Sequence, residues 1–409
     1  MKLLTLAGRN LSRHPRRVAL AITALALGIA AVIILRGIVG GIQQLNVSIF
    51  VDGSIGALQV HRTGYTDAAE MMPLSMDFED TPALREKLLA VKGVKAIAPR
   101  IYFGAALAPP GDREAAYFMA IAIDPALEAK VAPRRVSWAS QWLEGSRPQL
   151  LLDSTFGQAL GLQMPSPEAS DEQPALLASD RDEALNGEVV RIIGSVGQGM
   201  PGDVRQGLVT LGLAQRLLRS EGRAAEYAIA VHRLDEIADV KVALQAALGP
   251  AFEVHTWWER MPALRDVEQA QDIFGIIMGG IVLSVVLLGV GNLQLMSVMD
   301  RVREVGTLLA IGMRRRRVVG LFVLEGLLLG LIGSAIGLLL GEGVLGAIDW
   351  HGLKLAAPGA ALEQEVHPTV SAVWRWGITL SGVLGATISS GIAARRLSKM
   401  SAAEALAEP

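Results

Sequence analysis

The sequence predicts a polytopic α-helical membrane protein with four transmembrane helices and a large extracytoplasmic α+β domain inserted between helices 1 and 2. Three observations carry that prediction. First, 51% of the 409 residues are hydrophobic and the mean hydropathy is +0.39. A soluble protein is roughly 45–50% apolar with glycine counted, and here the excess falls in four blocks. Second, each basic cluster flanks an apolar run: Lys2, Arg9, Arg13, Arg16 and Arg17; Arg301, Arg303 and Arg314 to Arg317; Arg395, Arg396 and Lys399. Third, residues 43–272 carry 21 Lys+Arg against 31 Asp+Glu. Lysine and arginine accumulate on the cytoplasmic side of spans, so four spans with both termini inside put every basic cluster in the cytoplasm and the acidic middle outside.

Residues 1–42 form the cytoplasmic N-terminus and helix 1. Val18 to Leu35 is 18 residues without a charge, just enough to cross a bilayer. A secretory signal has a shorter apolar core followed by a small-x-small site; this run ends in Arg36-Gly37, without such a site. The helix is therefore retained, with Arg36 reaching water at the outer interface. Residues 43–265 form the outer α+β domain. Strand-like pieces lie at 55–61, 117–123, 187–194 and 227–232. Helical spacing spans 82–91 and 235–248, with Thr81 and Asp235 placed as N-caps. The polar stretch 163–186 reads as a solvated loop or a docking arm, and Asp77, Glu79 and Asp80 as a solvated turn without the glycine and terminal acid of a calcium loop.

Residues 266–300 supply a stalk and helix 2. Ile273 to Met299 is 27 residues without a charge, about 40 Å as a helix, against a hydrocarbon core of roughly 30 Å. Residues 301–317 form a cytoplasmic segment, amphipathic over 305–313. Residues 318–341 form helix 3, interrupted by Glu325 and ridged by Gly326, Gly330, Gly333, Gly337 and Gly341, a spacing that admits close helix–helix approach. Residues 342–373 form a short acidic external loop. Residues 374–394 form helix 4, anchored by Trp374 and Trp376, and 395–409 form a cytoplasmic tail.

Little in this chain can do covalent chemistry. There is no cysteine, which excludes thiolate catalysis and cysteine metal sites. Phosphate loops need Gly-Lys-Ser/Thr, and no Gly-Lys pair exists. The six histidines are scattered singly. No catalytic, metal or cofactor site is predicted, and no nucleic-acid partner. Glu325 is the costly residue: an acid within a span is either functional, paired with a base or facing a cavity, or it sits near the headgroups beside an arginine of the preceding cluster.

The run Asp300-Arg301-x-Arg303-Glu304-Val305-Gly306, then Leu309-Ala310-Ile311-Gly312-Met313-Arg314, then Glu325-Gly326 and the glycine ladder, resembles the FtsX-domain signature of ABC-transporter permeases. Those are the permeases of the macrolide exporter MacB type and the lipoprotein-releasing LolC/LolE type. The tail Ala393-Ala394-Arg395-Arg396-Leu397-Ser398 also resembles that family's ending, and the segment 57–65, Ala-Leu-Gln-Val-His-Arg-Thr-Gly-Tyr, resembles the stretch after the first span in LolC/LolE-like permeases. The resemblance implies a chain that converts ATP hydrolysis by a separate cytoplasmic ATPase, present in two copies and binding ATP and Mg, into motion of its periplasmic domain. It also implies a second permease (homodimer or paralogue), contact with membrane lipids, and a periplasmic carrier or adaptor as a further candidate partner. The cargo class is lipoproteins, lipids or other amphiphiles at the outer face of a bacterial inner membrane. The ATPase-coupling residues carried over are Arg301, Arg303, Glu304, Gly306, Ala310, Gly312 and Arg314; transmission falls to Glu325, Gly326, Gly330, Gly333 and Gly337. The alternative is an FtsX-like regulatory permease that activates an extracytoplasmic hydrolase. One departure stands out: Leu160-Gly161-Leu162 is not followed by the family's Gly-Asp.

Overall fold

A computed structural model describes residues 15–71, 73–111, 114–166, 173–196, 205–311, 313–356 and 363–397. It divides into a helical unit, Met1–Leu45, Asp266–Leu353 and Glu365–Pro409, and a mixed unit, Asn46–Arg265 and Lys354–Gln364.

Helix α1 (Pro15–Phe50) opens the described chain and ends in a wide turn, Val51–Ile55. The mixed unit then builds its sheet from β1 (Leu58–Arg62), β3 (Val94–Ala108), β4 (Ala116–Ile123), β5 (Gln149–Asp153), β6 (Ala175–Ser179), β7 (Leu185–Val189), β8 (Arg191–Val196), β9 (Gln206–Thr210), β11 (Glu226–Val231) and β12 (Phe252–Thr256). The main order is β12-β1-β11-β3-β4-β9-β5-β8, and β6 joins the far end of β3 and carries β7. β2 (Phe78–Glu79) and β10 (Arg223–Ala224) form a small separate ribbon. Pairings are antiparallel except β4 with β9 and β5 with β8. Short helices cover the sheet: α2 (Pro82–Leu89), α3 (Pro125–Val131), α4 (Pro133–Trp138), α5 (Ser154–Ala159), α6 (Leu211–Leu217), α7 (Ile237–Leu248) and α8 (Trp257–Arg260).

Local chemistry explains several starts. Thr81 caps α2 by accepting from Leu84 N–H at 3.2 Å, with Pro82 at the first helical position. Asp124 and Asp153 cap α3 and α5 in the same way. Asp235 does not cap α7: the helix starts two residues later and Asp235 pairs with Arg233. The stretch 187–194 is two strands broken at Val190, because β7 pairs with β6 whereas β8 pairs with β5. The polar stretch 163–186 contains β6 and the start of β7. The acidic residues 77–80 are not a solvated turn. Asp77 is buried beside Arg223, and Asp80 takes a hydrogen bond from Arg85 Nε at 2.6 Å.

In the helical unit α9 (Pro262–Met299), α10 (Val302–Ala310), α11 (Arg315–His351) and α12 (Ala372–Leu397) follow; between α11 and α12, β13 (Leu353–Ala356) pairs with β14 (Glu363–Val366), a ribbon whose residues are divided between the two units. Among the described residues four helices are long and apolar enough to cross a membrane, so the protein is a multipass membrane protein. Each of the first three outruns its apolar stretch: 36, 38 and 37 residues are about 54–57 Å of helix. The predicted external loop therefore begins later than expected, since α11 runs on through 342–351. Charge does not break a helix, and Glu342 is held by Arg375 at 2.6 Å.

Close approaches at glycines set the directions. Leu25, Ile29 and Ile33 of α1 meet Gly333, Gly337 and Gly341 of α11, a parallel pair. Ser390 and Val383 of α12 meet Gly326 and Gly330, an antiparallel pair. Val286 and Gly279 of α9 meet Gly28 and Val32 of α1, also antiparallel. This is the alternation that four successive crossings require.

Candidate functional site

The site grows from the two-residue corner between α9 and α10. The helix α9 ends at Met299; Arg301 N–H donates to Val298 C=O at 3.2 Å, and Val305 N–H to Arg301 C=O at 3.0 Å. The chain thus turns at once into α10. Every third or fourth residue of α10 is apolar or small, so the helix lays Val302 and Val305 into a cluster with Val298, Val318, Phe322, Ala393 and Ala394. That packing fixes α10 against α11 and α12.

At the corner, Arg301 is 8% and Glu325 7% exposed. Arg301 Nη1 donates to both Glu325 carboxylate oxygens at 3.2 Å, and Nε donates to Glu304 at 3.0 Å. The guanidinium carbon also lies 5.3 Å from the centre of the Phe322 ring, a cation–π approach. Glu325 is therefore paired with an arginine of the preceding basic cluster, and that arginine is Arg301. It holds a base from the other side of the α10 corner, as an acid inside a span requires. Beside it, Arg17 pairs with Asp300, tying α1 to the same corner.

The carried-over coupling residues separate into two groups. Arg301 and Gly306 are buried, and Arg301 ties the start of α10 to Glu325. Arg303, Glu304 and Ala310 face outward, as does Arg314 at the start of α11. Gly312 lies outside the described residues. Sequence reasoning missed two outward neighbours, Thr307 and Ile311. Ile311 is 79% exposed, a bare isoleucine on the face that also carries Arg303 and Glu304. Its signal was present in the amphipathic pattern, where it falls off the apolar stripe.

The glycine ladder serves two neighbours. An ideal Cβ on Gly330 would lie 2.9 Å from Val383 Cα, and one on Gly337 2.7 Å from the Ala26 carbonyl oxygen. Gly326 and Gly330 thus admit α12, while Gly333 and Gly337 admit α1. At the opposite end of the bundle, Arg36 is 9% exposed rather than reaching water. It pairs with Asp272 of α9 and lies 4.3 Å from the Trp374 ring centre. Gln43 donates to the Glu268 carbonyl and to Asp272, each at 3.3 Å. Charged pairs therefore close the helical unit at two levels, Arg17–Asp300 with Arg301–Glu325 and Arg36–Asp272 with Arg375–Glu342. Among the described residues no cluster of histidine and acid has metal-ligand geometry.

Residues 276–402 match the FtsX-like permease C-terminal family, and residues 18–246 match the MacB-like periplasmic core domain. The chain belongs to the FtsX/MacB permease family. It is an ABC transporter permease of that type, and its mixed unit is the periplasmic-type domain of the family. A macrolide export ATP-binding/permease protein MacB from Hyphomonas neptunium is 28% identical over 176 residues, 41% of this chain and 27% of that protein. The MacB of Nitrobacter winogradskyi is 24% identical over 208 residues, 50% of this chain and 30% of its own length. The chain therefore spans about a third or less of these two relatives. The periplasmic region of MacB from Actinobacillus actinomycetemcomitans covers 53% of this chain and 92% of its own, at 10% identity and a TM-score of 0.34. The extracellular domain of the transporter YknZ covers 49% of this chain and all of its own, at 11% identity and a TM-score of 0.33.

Proposed function

We propose that this permease couples ATP hydrolysis by a separate cytoplasmic ATPase, two copies per transporter, to motion of its periplasmic domain, and so moves lipoproteins, lipids or other amphiphiles from the outer face of the inner membrane. ATP and Mg are bound by the ATPase. The termini are cytoplasmic, and a second permease, identical or paralogous, completes the transporter. The observation that carries this reading is α10. A nine-residue helix is pinned from below by the Arg301–Glu325 pair and turns Arg303, Glu304, Thr307, Ala310 and Ile311 outward. Among the described residues of this face, exposed Ile311 stands beside polar Arg303, Glu304 and Thr307, an apolar contact with polar neighbours as in a small protein-docking face. Support for a partner in the membrane comes from α9. Only 11% of its apolar window is buried, against 44%, 39% and 39% for the other spans, which leaves a face for lipid, cargo or a second permease to cover.

The test is co-purification of the ATPase with tagged permease from membranes. Ile311→Asp places a charge at the centre of the face without touching the fold, and it is expected to reduce recovered ATPase at least tenfold. Undiminished recovery with that variant and with Arg303→Glu would refute the docking assignment.

A further inference from the structure

The end of helix 1 is fastened into the outer domain by a buried ionic relay. The last ten helical residues, 46–55, belong to the mixed unit. A helix C-terminus leaves carbonyls without intrahelical partners, and here nearly every one is met by a buried side chain. Arg135 of α4 donates from Nε to Gly53 C=O at 3.0 Å and from Nη2 to Ser54 C=O at 2.6 Å. Gln59 of β1 donates to Ile55 C=O at 3.0 Å and Gly56 C=O at 3.2 Å. Ala57 N–H enters the sheet through Ile229 C=O at 2.8 Å.

Arg135 is the first member of an alternating row of charges. Its Nη1 donates to Glu128 at 2.8 Å; Glu128 also accepts from Arg100 Nη2 at 2.7 Å and Nε at 3.0 Å. Arg100 Nη1 donates to Glu226 at 3.2 Å. Glu226 closes the row against Tyr102 Oη at 3.0 Å and His61 Nε2 at 2.9 Å. Arg100 and Glu128 are fully buried, and Arg135 and Glu226 are each 4% exposed. The row crosses β3, β11 and β1, three neighbouring strands in the middle of the sheet. Burying two arginines and two glutamates is expensive, and apolar residues of the same volume would stabilise a core at least as well. A row of this kind is therefore not explained by stability alone. What it does that apolar side chains cannot is hold backbone carbonyls of a helix end with directional, charge-assisted bonds.

We propose that Arg135, backed by Glu128, Arg100 and Glu226, is a positioning residue that clamps the end of helix 1 to the central strands, so that displacement of the helix is delivered to the sheet without slack. This rests on the transmission reading above and names where the periplasmic domain takes up the motion. Gly53 serves the same contact: an ideal Cβ there would lie 2.2 Å from the Trp138 ring, so the turn seats only without a side chain.

The test is hydrogen exchange on the full chain in nanodiscs, with no ATPase present. Arg135→Lys keeps a cation beside Glu128 but loses the fork that reaches two carbonyls. Amides 51–57 are expected to exchange at least tenfold faster, while amides of β3, β4 and β11 change less than twofold. Gly53→Ala, which lifts the turn off Trp138 from the helix side, is expected to give the same local pattern. Unchanged exchange at 51–57, or equal acceleration throughout the sheet, would overturn the clamp. In the ATPase complex Arg135→Lys is then expected to lower transport per ATP about tenfold at unchanged hydrolysis; locally faster exchange with undiminished transport per ATP would also overturn it. Failure of the exchange arm counts against the clamp alone, whereas retention of the ATPase by Ile311→Asp counts against the coupling reading.

Discussion

Replacing Glu325 by glutamine removes the charge that faces Arg301 and keeps the side chain's size. The wild-type pair is one guanidinium nitrogen on two carboxylate oxygens at 3.2 Å, with the side chains 10% and 9% exposed. Removing one partner of a buried pair costs about 3–5 kcal/mol, because the other charge stays behind unmatched. Arg301 keeps Glu304 at 3.0 Å, and that carboxylate is half-exposed. The lower end, about 3 kcal/mol, is therefore expected, a shift on the order of 100-fold in the docking equilibrium of α10. The assay is a double-mutant cycle with Glu325→Gln, Arg301→Gln and the double variant, read by hydrogen exchange of the α10 amides in the membrane-embedded chain. If the pair holds the helix, each single variant raises exchange of α10 above that of α11, and the double variant is much less than additive, with a coupling of about 1 kcal/mol or more. In the full transporter Glu325→Gln is expected to keep hydrolysing ATP while transport falls. Additive variants, or an α10 as protected as in wild type, would refute the view that this pair positions the docking face.

The glycine seam gives a matched contrast. Gly337→Ala sets a methyl 2.7 Å from a backbone carbonyl, and overpacking of this kind costs about 1–3 kcal/mol; Gly343→Ala, with nothing within 4 Å, is expected to leave thermal unfolding unchanged or slightly raised. Equal melting points for the two would show that the seam is not tightly packed. Acid sensitivity follows from Glu226. Burial opposes its charge, yet the hydrogen bond and charge of His61, with Arg100 and Tyr102, hold its carboxyl down at about 2 against an ordinary 4.5. A carboxyl with a lowered folded pKa contributes stability that is fully present above the unfolded value and is lost as pH falls through the folded one. The outer domain's melting temperature is thus expected to drop between about pH 4.5 and 2, and Glu226→Gln to flatten that drop. A wild-type profile no steeper than the variant's would contradict the assignment.

The membrane half of the fold was legible because its physics is local. An uncharged run declares a span, and glycines at helical spacing declare a seam. Run length did not give helix length, since α1 and α11 continue far past the apolar stretch as charged residues find partners along the bundle. The outer sheet was legible only where strands alternate. β3 escaped notice because it is buried along almost its whole length, as a strand covered on both faces is, and because Pro99 and Gly104 read as punctuation. In the site, the motif named Arg303 and Glu304, and the structure exposes both. Arg301 and Gly306 belong to the same motif but face inward, a distinction that only packing makes. The relay from His61 to Arg135 draws on five elements separated by up to 165 residues, and no spacing rule joins them.

The central claim is that a cytoplasmic ATPase seats on the outward face of α10. The chain contains no cysteine, so a single Ile311→Cys can be titrated with a membrane-impermeant maleimide in inverted membrane vesicles. Labelling is expected to be rapid in vesicles stripped of ATPase, strongly suppressed when the ATPase is restored, and absent in right-side-out spheroplasts. Labelling from the outside, or a rate indifferent to the ATPase, would contradict the claim.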